Sequence, residues 1–229
     1  MAATVQGRFC PIVMASEILG PRWSMVLLSE LLEGSSRFNE LRRGIPRISP
    51  GLLSKRLKEL QDWGLIERRQ QSGGEVAEYV PTDAAMELKP VIYALGCWTQ
   101  KWIDARITVD TLDAPYLMWH IRRNFNPDPM PKRKTVIQFI YPEVPIAERN
   151  YWMILTPGED VDLCSIDPGY NVDLFVAADL MAMTHAFLGQ STLNQEIGKD
   201  TITLTGDSLA RANFRKWFVQ SSFAQKTDV

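Results

Sequence analysis

The sequence predicts an α+β protein with two domains, one built mainly from helices and one built from a sheet and helices. At 229 residues the chain is long for a single domain and suits two. Within the first 110 residues, apolar positions recur mostly at helical spacings of three and four. Between residues 134 and 205 they fall in short runs separated by turn residues, as in strands. We therefore expect domains at residues 1–110 and 115–229.

The helix predicted after Ser49 is the most informative stretch of the first domain. Ser49 is a favourable N-cap residue and Pro50 a favourable first helical residue. Leu53, Leu57 and Leu60 recur at spacings of four and three, which gives the helix one apolar stripe. The opposite face carries small, hydroxylic and basic residues, with Arg56 at its margin: Gly51, Ser54, Lys55 and Lys58. A helix face of this kind suits the major groove of DNA.

The elements around this helix predict a winged helix-turn-helix. Helices are expected before it at residues 11–19, 23–34 and 40–43, the last capped by Asn39. Residues 65–69 and 76–80 are typical of two strands joined by a turn at residues 71–74. Helix, helix and two-stranded wing follow one another in the order of that fold.

The charge distribution favours a DNA-binding surface. The window from Arg37 to Arg69 holds nine basic and four acidic residues, a net charge of +5, whereas the whole chain carries −2. A basic segment in an acidic chain is expected where phosphates bind; a solvated helix face is the alternative. We expect base contacts mainly from the outward face of the helix, and phosphate contacts mainly from four arginines: Arg47, Arg56, Arg68 and Arg69.

A long helix over residues 82–107 predicts a homodimer. Thr82 is its expected cap, and Pro90 is expected to kink it or divide it in two. Its apolar positions are Met86, Val91, Leu95, Trp98 and Trp102. One small domain cannot cover so long an apolar element, so we expect it to pack against a second copy of the chain. The two tryptophans are expected in that dimer core rather than in a ligand site.

A series of motifs occurs in a fixed order along the first domain: Cys10-Pro11, Gly20-Pro21-Arg22-Trp23, Arg37-Phe38-Asn39-Glu40-Leu41-Arg42-Arg43, Ile48-Ser49, Leu53-Ser54-Lys55-Arg56-Leu57-Lys58-Glu59-Leu60 and Gly64-Leu65-Ile66-Glu67-Arg68. With them, residues 10 to about 105 resemble the HxlR family of bacterial winged-helix transcription regulators. The resemblance implies a dimer that binds a near-palindromic double-stranded DNA operator. It also implies that Cys10 senses oxidants or electrophiles, against the alternative of a buried, inert thiol.

The second domain begins after the break at residues 112–115. Strands are predicted at residues 134–141, 151–156, 161–166, 171–176 and 201–205, and helices at 116–125, 177–188, 190–197 and from Asp207 to about 218. The motifs Val172-Asp173-Leu174-Phe175-Val176-Ala177-Ala178-Asp179-Leu180 and Ile202-Thr203-Leu204-Thr205-Gly206-Asp207 resemble the sterol carrier protein type 2 family. That resemblance implies a small hydrophobic ligand in an apolar cavity. Leu180, Met183 and Phe187 would line it, and a solid Met-rich core is the alternative.

The composition excludes several other classes of protein. Three widely spaced cysteines and two histidines without a C-x-x-C motif predict reduced thiols, a cytoplasmic location and no metal site. No apolar run is long enough to predict a membrane partner. No phosphate-binding glycine loop or nucleophile elbow is present, so no catalytic residue and no cofactor are predicted. A hydrophobe or lipid carrier, with the winged half serving oligomerisation, is the alternative to a regulator. A third possibility is an enzyme acting in the C-terminal cavity, for which no residue set stands out.

Overall fold

The computed structural model describes residues 9–70, 77–102 and 112–224, and it has the α+β architecture that the sequence predicts. The chain divides into two compact units, Met1–Leu95 and Gly96–Val229. This division falls inside a helix, whereas the sequence predicts one in the link after residue 110. The domain limits of 1–110 and 115–229 stay a prediction.

Among its described residues, the first unit contains four helices, two paired strands and most of a fifth helix. These elements are α1 Pro11–Leu19, α2 Ser24–Leu32, α3 Phe38–Gly44, α4 Pro50–Asp62, β1 Ile66–Gln70, β2 Ala77–Pro81 and α5 Asp83–Trp102. The two strands are antiparallel, with Arg68 opposite Tyr79. This order confirms the predicted helices and wing strands, while the predicted turn at residues 71–74 lies outside the described residues.

The core of the first unit fixes how α4 is oriented. Leu53, Leu57 and Leu60 are at most 1% exposed, and they pack with Leu27 and Leu41 in one apolar cluster. Full burial of a leucine stabilises a fold by about 1.5–3 kcal/mol. Because this stripe faces inward, the opposite face of α4 must face outward.

One prediction in this unit, the start of α3, needs correction, and the structure decides between the two alternatives left open at Pro90. Helix α3 begins at Phe38, not Glu40, and its start is not capped by Asn39. The Glu40 carboxylate instead accepts the backbone N–H groups of Ser36 at 2.9 Å and Arg37 at 3.0 Å. Helix α5 is one element through Pro90, so the proline does not divide it in two.

The second unit is a mixed sheet with helices. Its elements are α6 Ala114–Asn124, β3 Thr135–Ile140, β4 Asn150–Leu155, β5 Asp162–Cys164, β6 Leu174–Ala178, α7 Leu180–Leu188, α8 Leu193–Gly198, β7 Ile202–Gly206 and α9 Ser208–Trp217. The strand order is β5-β4-β3-β6-β7, in which β3 and β6 are parallel and the other neighbours antiparallel. The predicted sheet with helices is therefore present.

Aromatic residues fill the core of this unit. Phe139 of β3 lies 5.8 Å from Phe214 of α9, measured between ring centroids. The ring of Phe125 lies 5.9 Å from that of Phe214 and 6.0 Å from that of Trp217. These rings join the end of α6, the sheet and α9 into one apolar core.

Several boundaries in this unit differ from prediction, among them the starts of β6 at Leu174 and of α8 at Leu193. Strand β6 continues through Ala178, which pairs with Ile202, so α7 begins at Leu180 and not at Ala177. The predicted link before α6 belongs partly to the helix, because the Asp113 carboxylate accepts the N–H of Tyr116 at 3.0 Å and caps it.

Candidate nucleic-acid interface

The N-terminus of α4 is formed by Ser49 and Pro50. The Ser49 hydroxyl oxygen accepts the N–H of Leu52 at 3.3 Å, and Pro50 takes the first helical position, where its missing N–H costs nothing. The predicted cap is confirmed. It places Gly51 and Ser54 in the first turns of the helix, and both are exposed.

The outward face of α4 carries two exposed lysines. The side chain of Lys55 is 66% exposed, and its Nζ lies 4.0 Å from the Glu59 carboxylate. Lys58 is 70% exposed, and its Nζ lies 2.6 Å from the Asp62 carboxylate. Exposed i,i+4 ion pairs of this kind contribute only about 0.3–0.5 kcal/mol. Both ammonium groups are therefore available to a polyanion.

Arg56 has different surroundings from the other basic residues of α4. Its side chain is only 14% exposed and pairs with the Glu59 carboxylate. Its Nε donates to the backbone carbonyl of Arg22 at 3.0 Å. This guanidinium therefore ties α4 to the segment before α2. The geometry supports a positioning role for Arg56, and the phosphate contact that the sequence predicts for it stays a prediction.

The wing and the loop before α4 supply the remaining predicted cations. Arg68 and Arg69 lie on β1 and are exposed, and Arg69 forms an ion pair with Glu67 at 2.9 Å. Arg47 is exposed in the short segment between α3 and α4. All three belong to the same compact unit as α4.

A groove that the sequence does not predict lies beside the wing. Its volume is about 600 Å³, and its lining includes Arg37, Phe38, Asn39, Arg43, Arg68 and Tyr79. Of its three arginines, the sequence predicts a phosphate contact only for Arg68. Arg37 and Arg43 contribute to the net positive charge of residues 37–69. The sequence signal that could have indicated it is the excess of arginine within residues 37–43, on the helix directly before α4.

The family of the chain follows from its first half. A family model of HxlR-like helix-turn-helix proteins matches residues 18–107. The uncharacterised HTH-type transcriptional regulator YvaP of Bacillus subtilis is 37% identical over 101 residues, which are 43% of this chain and 94% of YvaP. The chain belongs to the HxlR family. It is thus a helix-turn-helix transcription regulator, in a class of DNA-binding proteins that are not enzymes.

Other HxlR-type proteins show the same partial coverage. The HTH-type transcriptional regulator YodB of B. subtilis is 31% identical over 102 residues, 44% of this chain and 91% of YodB. The solved structure of the reduced form of YodB is 30% identical to this chain with a TM-score of 0.38, and the match covers 42% of this chain and 95% of that one. The redox regulator HypR in its reduced form is 26% identical to this chain with a TM-score of 0.40. The match covers 42% of this chain and 97% of HypR. The family match ends at residue 107, so it leaves most of the second unit unaccounted for.

Cys10 lies directly before α1 in this HxlR chain. Its thiol is free and half-buried, and its backbone carbonyl accepts the N–H of Met14 at 3.2 Å. Cys97 and Cys164 are also half-buried, and neither forms a disulfide. Sensing by Cys10 stays a prediction.

The three predicted pocket residues lie in the core of the second unit. Leu180 is 3% exposed, Met183 0% and Phe187 5%, and all three belong to the aromatic-rich cluster. Lining of a ligand cavity by these residues stays a prediction.

The described residues contain neither a candidate metal cluster nor a candidate membrane-spanning helix. Across residues 9–70, 77–102 and 112–224, no three His, Cys, Asp or Glu side chains are arranged to hold a metal ion. In the same part of the chain, no helix combines the length and apolar character needed to cross a bilayer.

Proposed function

We propose that this HxlR protein is a homodimeric, sequence-specific regulator that reads a double-stranded operator with α4. The observation that carries the proposal is the division of α4 into two faces. Leu53, Leu57 and Leu60 anchor it in the core, while Lys55 and Lys58 stand exposed on the other side. A capped helix held rigidly by its apolar stripe can present polar groups to the edges of bases. Reading an operator requires access to chromosomal DNA, so we also propose a cytoplasmic location.

The contacts divide into two kinds. Gly51, Ser54, Lys55 and Lys58 would meet base edges, since they occupy the outward face of the helix. Arg47, Arg68 and Arg69 would hold phosphates, and the Ser49 hydroxyl can donate to a phosphate while its oxygen caps the helix. Arg56 is left out of this set because its guanidinium is engaged within the protein.

The proposed dimer rests on α5. Val91, Leu95, Trp98 and Trp102 recur at spacings of four, three and four along this 20-residue helix, and each is 45–65% exposed. A row of large, exposed apolar side chains on one helix face is typical of a protein–protein interface. Two-fold pairing through α5 would present two copies of α4 to a near-palindromic operator.

Selection of bound sequences from a random duplex pool tests the proposal. We expect one enriched near-palindromic motif and an affinity that falls steeply with salt, since cations on the protein replace counterions on DNA. A pool that stays random, or binding that is insensitive to salt, would contradict it.

We propose further that the second unit binds a small hydrophobic ligand that modulates operator binding. Two polar atoms in the core favour this idea: the Tyr151 hydroxyl and Trp217 Nε1 have no hydrogen-bond partner among the described residues. Tyr151 is 3% exposed and Trp217 1%. Such groups usually find a partner, which a polar group on a ligand would supply.

Native mass spectrometry of the purified protein tests the ligand directly, with fatty acids, sterol-like compounds and aromatic hydrophobes as probes. A retained or added apolar molecule that also changes operator affinity supports regulation. Binding without any change in operator affinity favours the alternative, a lipid or hydrophobe carrier whose winged half serves oligomerisation.

Redox control through Cys10 is a separate proposal. It is supported by a free, half-buried thiol at the start of α1. Peroxide or a quinone should change the operator affinity of the wild type but not of Cys10→Ser. An equal response in both proteins would assign the effect to another thiol or to none.

A further inference from the structure

The groove beside the wing, here the α3–wing groove, combines a cavity with a cluster of cations. It has a volume of about 600 Å³ and is lined by side chains of α3 and of both wing strands, with Arg37 directly before α3. Three of the lining residues are arginines, namely Arg37, Arg43 and Arg68. The groove is therefore a place where several guanidinium groups face one space.

Two acidic residues accompany these arginines, Glu40 in the lining of the groove and Glu78 on β2, and both already have partners. The Glu40 carboxylate accepts the backbone N–H groups of Ser36 and Arg37. Glu78 forms an ion pair with Arg37 at 3.4 Å. By contrast, neither Arg43 nor Arg68 forms an ion pair with any residue that the structure describes. The groove thus keeps two arginines that form no ion pair with a described residue, beside the Glu40 carboxylate, which accepts two backbone N–H groups.

The remaining lining is partly apolar. Phe38, Ala77 and Tyr79 are half-buried, and Tyr79 lies directly across the strand pair from Arg68. A guanidinium offers a planar fork of donors that matches the oxygens of a phosphate or carboxylate. An aromatic wall next to that fork suits the apolar part of the molecule that carries the oxyanion.

We propose that the α3–wing groove binds an oxyanion, a phosphate or a carboxylate, through Arg43 and Arg68. Two sources have this chemistry. One is a phosphodiester of operator DNA, in which case the inference rests on the proposed function and adds Arg43 to the phosphate contacts. The other is a small anionic molecule with an apolar ring or chain, which would act on the DNA-binding unit itself.

The experiment compares Arg43→Gln and Arg68→Gln with Arg42→Gln. Arg42 is exposed and adjacent to Arg43 on α3, yet it does not line the groove. All three variants lose one positive charge from the same unit, so a general charge effect is equal among them. Circular dichroism of each variant checks that the substitution leaves the fold intact. Arg68→Lys keeps the positive charge but loses the planar guanidinium, so it tests whether the bidentate donor geometry is needed.

The first arm measures binding of inorganic phosphate and of benzoate to the full chain without DNA, by calorimetry. We expect saturable binding of at least one anion to wild type and Arg42→Gln if a small molecule is the source. Arg43→Gln and Arg68→Gln should then bind about tenfold more weakly, the usual scale for a lost charge-assisted hydrogen bond.

The second arm measures operator affinity against salt concentration. If a DNA phosphate is the source, Arg43→Gln should flatten the salt slope by about one unit relative to Arg42→Gln. Equal behaviour of Arg43→Gln and Arg42→Gln in both arms would overturn the inference. The proposed function would still stand in that case if substitutions at Lys55 and Lys58 abolish operator binding.

Discussion

The ring of Phe223 packs directly on the Cα of Gly96, where α5 enters the second unit. A Cβ added at residue 96 would lie 2.6 Å from Phe223 Cδ1, closer than real Cβ contacts allow. One turn further along, Gln100 Nε2 donates to the carbonyl of Leu188 at the end of α7 at 2.8 Å. The last turns of α5 are thus built into the C-terminal unit by a close approach that only glycine permits.

Gly96→Ala should therefore destabilise the protein although alanine is the better helix former. We expect the free energy of unfolding to fall by about 1–3 kcal/mol, the usual cost of overpacking. Gly198→Ala is the matched control, because a Cβ there meets nothing within 4 Å. Denaturant unfolding measures both variants. In the double variant Gly96→Ala/Phe223→Ala, the alanine at residue 96 should cost much less stability than it does beside Phe223. If the losses in free energy of unfolding of the two single variants simply add in the double variant, the contact would be contradicted.

Arg56→Gln should lower stability more than Lys55→Gln does. Arg56 is 14% exposed and holds the Arg22 carbonyl and the Glu59 carboxylate, so its loss should cost about 1–3 kcal/mol. Lys55 is 66% exposed, and its loss should cost less than about 0.5 kcal/mol. Denaturant unfolding separates the two. Should Arg56→Gln keep full stability and lose duplex affinity, the phosphate contact predicted from sequence would be right instead.

Leu95→Asp together with Trp98→Asp should convert a dimer into a monomer. Both side chains are about half-exposed on α5, and each substitution would place an unpaired charge in the proposed interface, at a cost of several kcal/mol. Sedimentation velocity at micromolar concentration measures the result. Ile166→Asp, which changes an 81% exposed residue away from α5, should leave the dimer intact. A wild-type protein that sediments as a monomer would refute the interface.

Stability should fall at alkaline pH because of Tyr151. Burial, helped by the charges of Glu148 and Asp113, raises the pKa of this hydroxyl above its ordinary value of 10.0. The unfolded chain then loses a proton above pH 10.0 that the folded chain retains, so the stabilisation present below that pH is lost as pH rises. Tyr151→Phe should reduce the fall in the denaturant midpoint above this pH. An unchanged slope in Tyr151→Phe would contradict this cause.

Local patterns were sufficient to predict much of the first unit. The spacing of Leu53, Leu57 and Leu60 and the cap at Ser49 depend on neighbouring residues alone, and the structure has both. The predicted start of α3 was wrong because Asn39 is a favourable N-cap by residue type alone. In the structure the Glu40 carboxylate accepts the free backbone N–H groups before the helix. Two residues with equally plausible cap chemistry cannot be ranked without the backbone that positions them.

Tertiary neighbours account for what the sequence missed. Helical spacing places Arg56 at the margin of the outward face of α4, but its Nε donates to the Arg22 carbonyl, 34 residues away in the chain. The α3–wing groove likewise joins Arg43 and Arg68, which no local pattern connects. Strand β6 runs through Ala178 because it pairs with β7, so the start of α7 depends on a strand that follows it in the chain.

The affinity of Lys55→Ala/Lys58→Ala for a selected operator duplex tests the central claim most directly. Lys132→Ala/Lys216→Ala is the control, since it removes the same charge from exposed lysines of the second unit. A good base contact is worth about 1–3 kcal/mol, so the α4 variant should bind at least about tenfold more weakly than this control. Equal affinity of the two double variants for the operator would contradict the assignment of α4 as the helix that reads DNA.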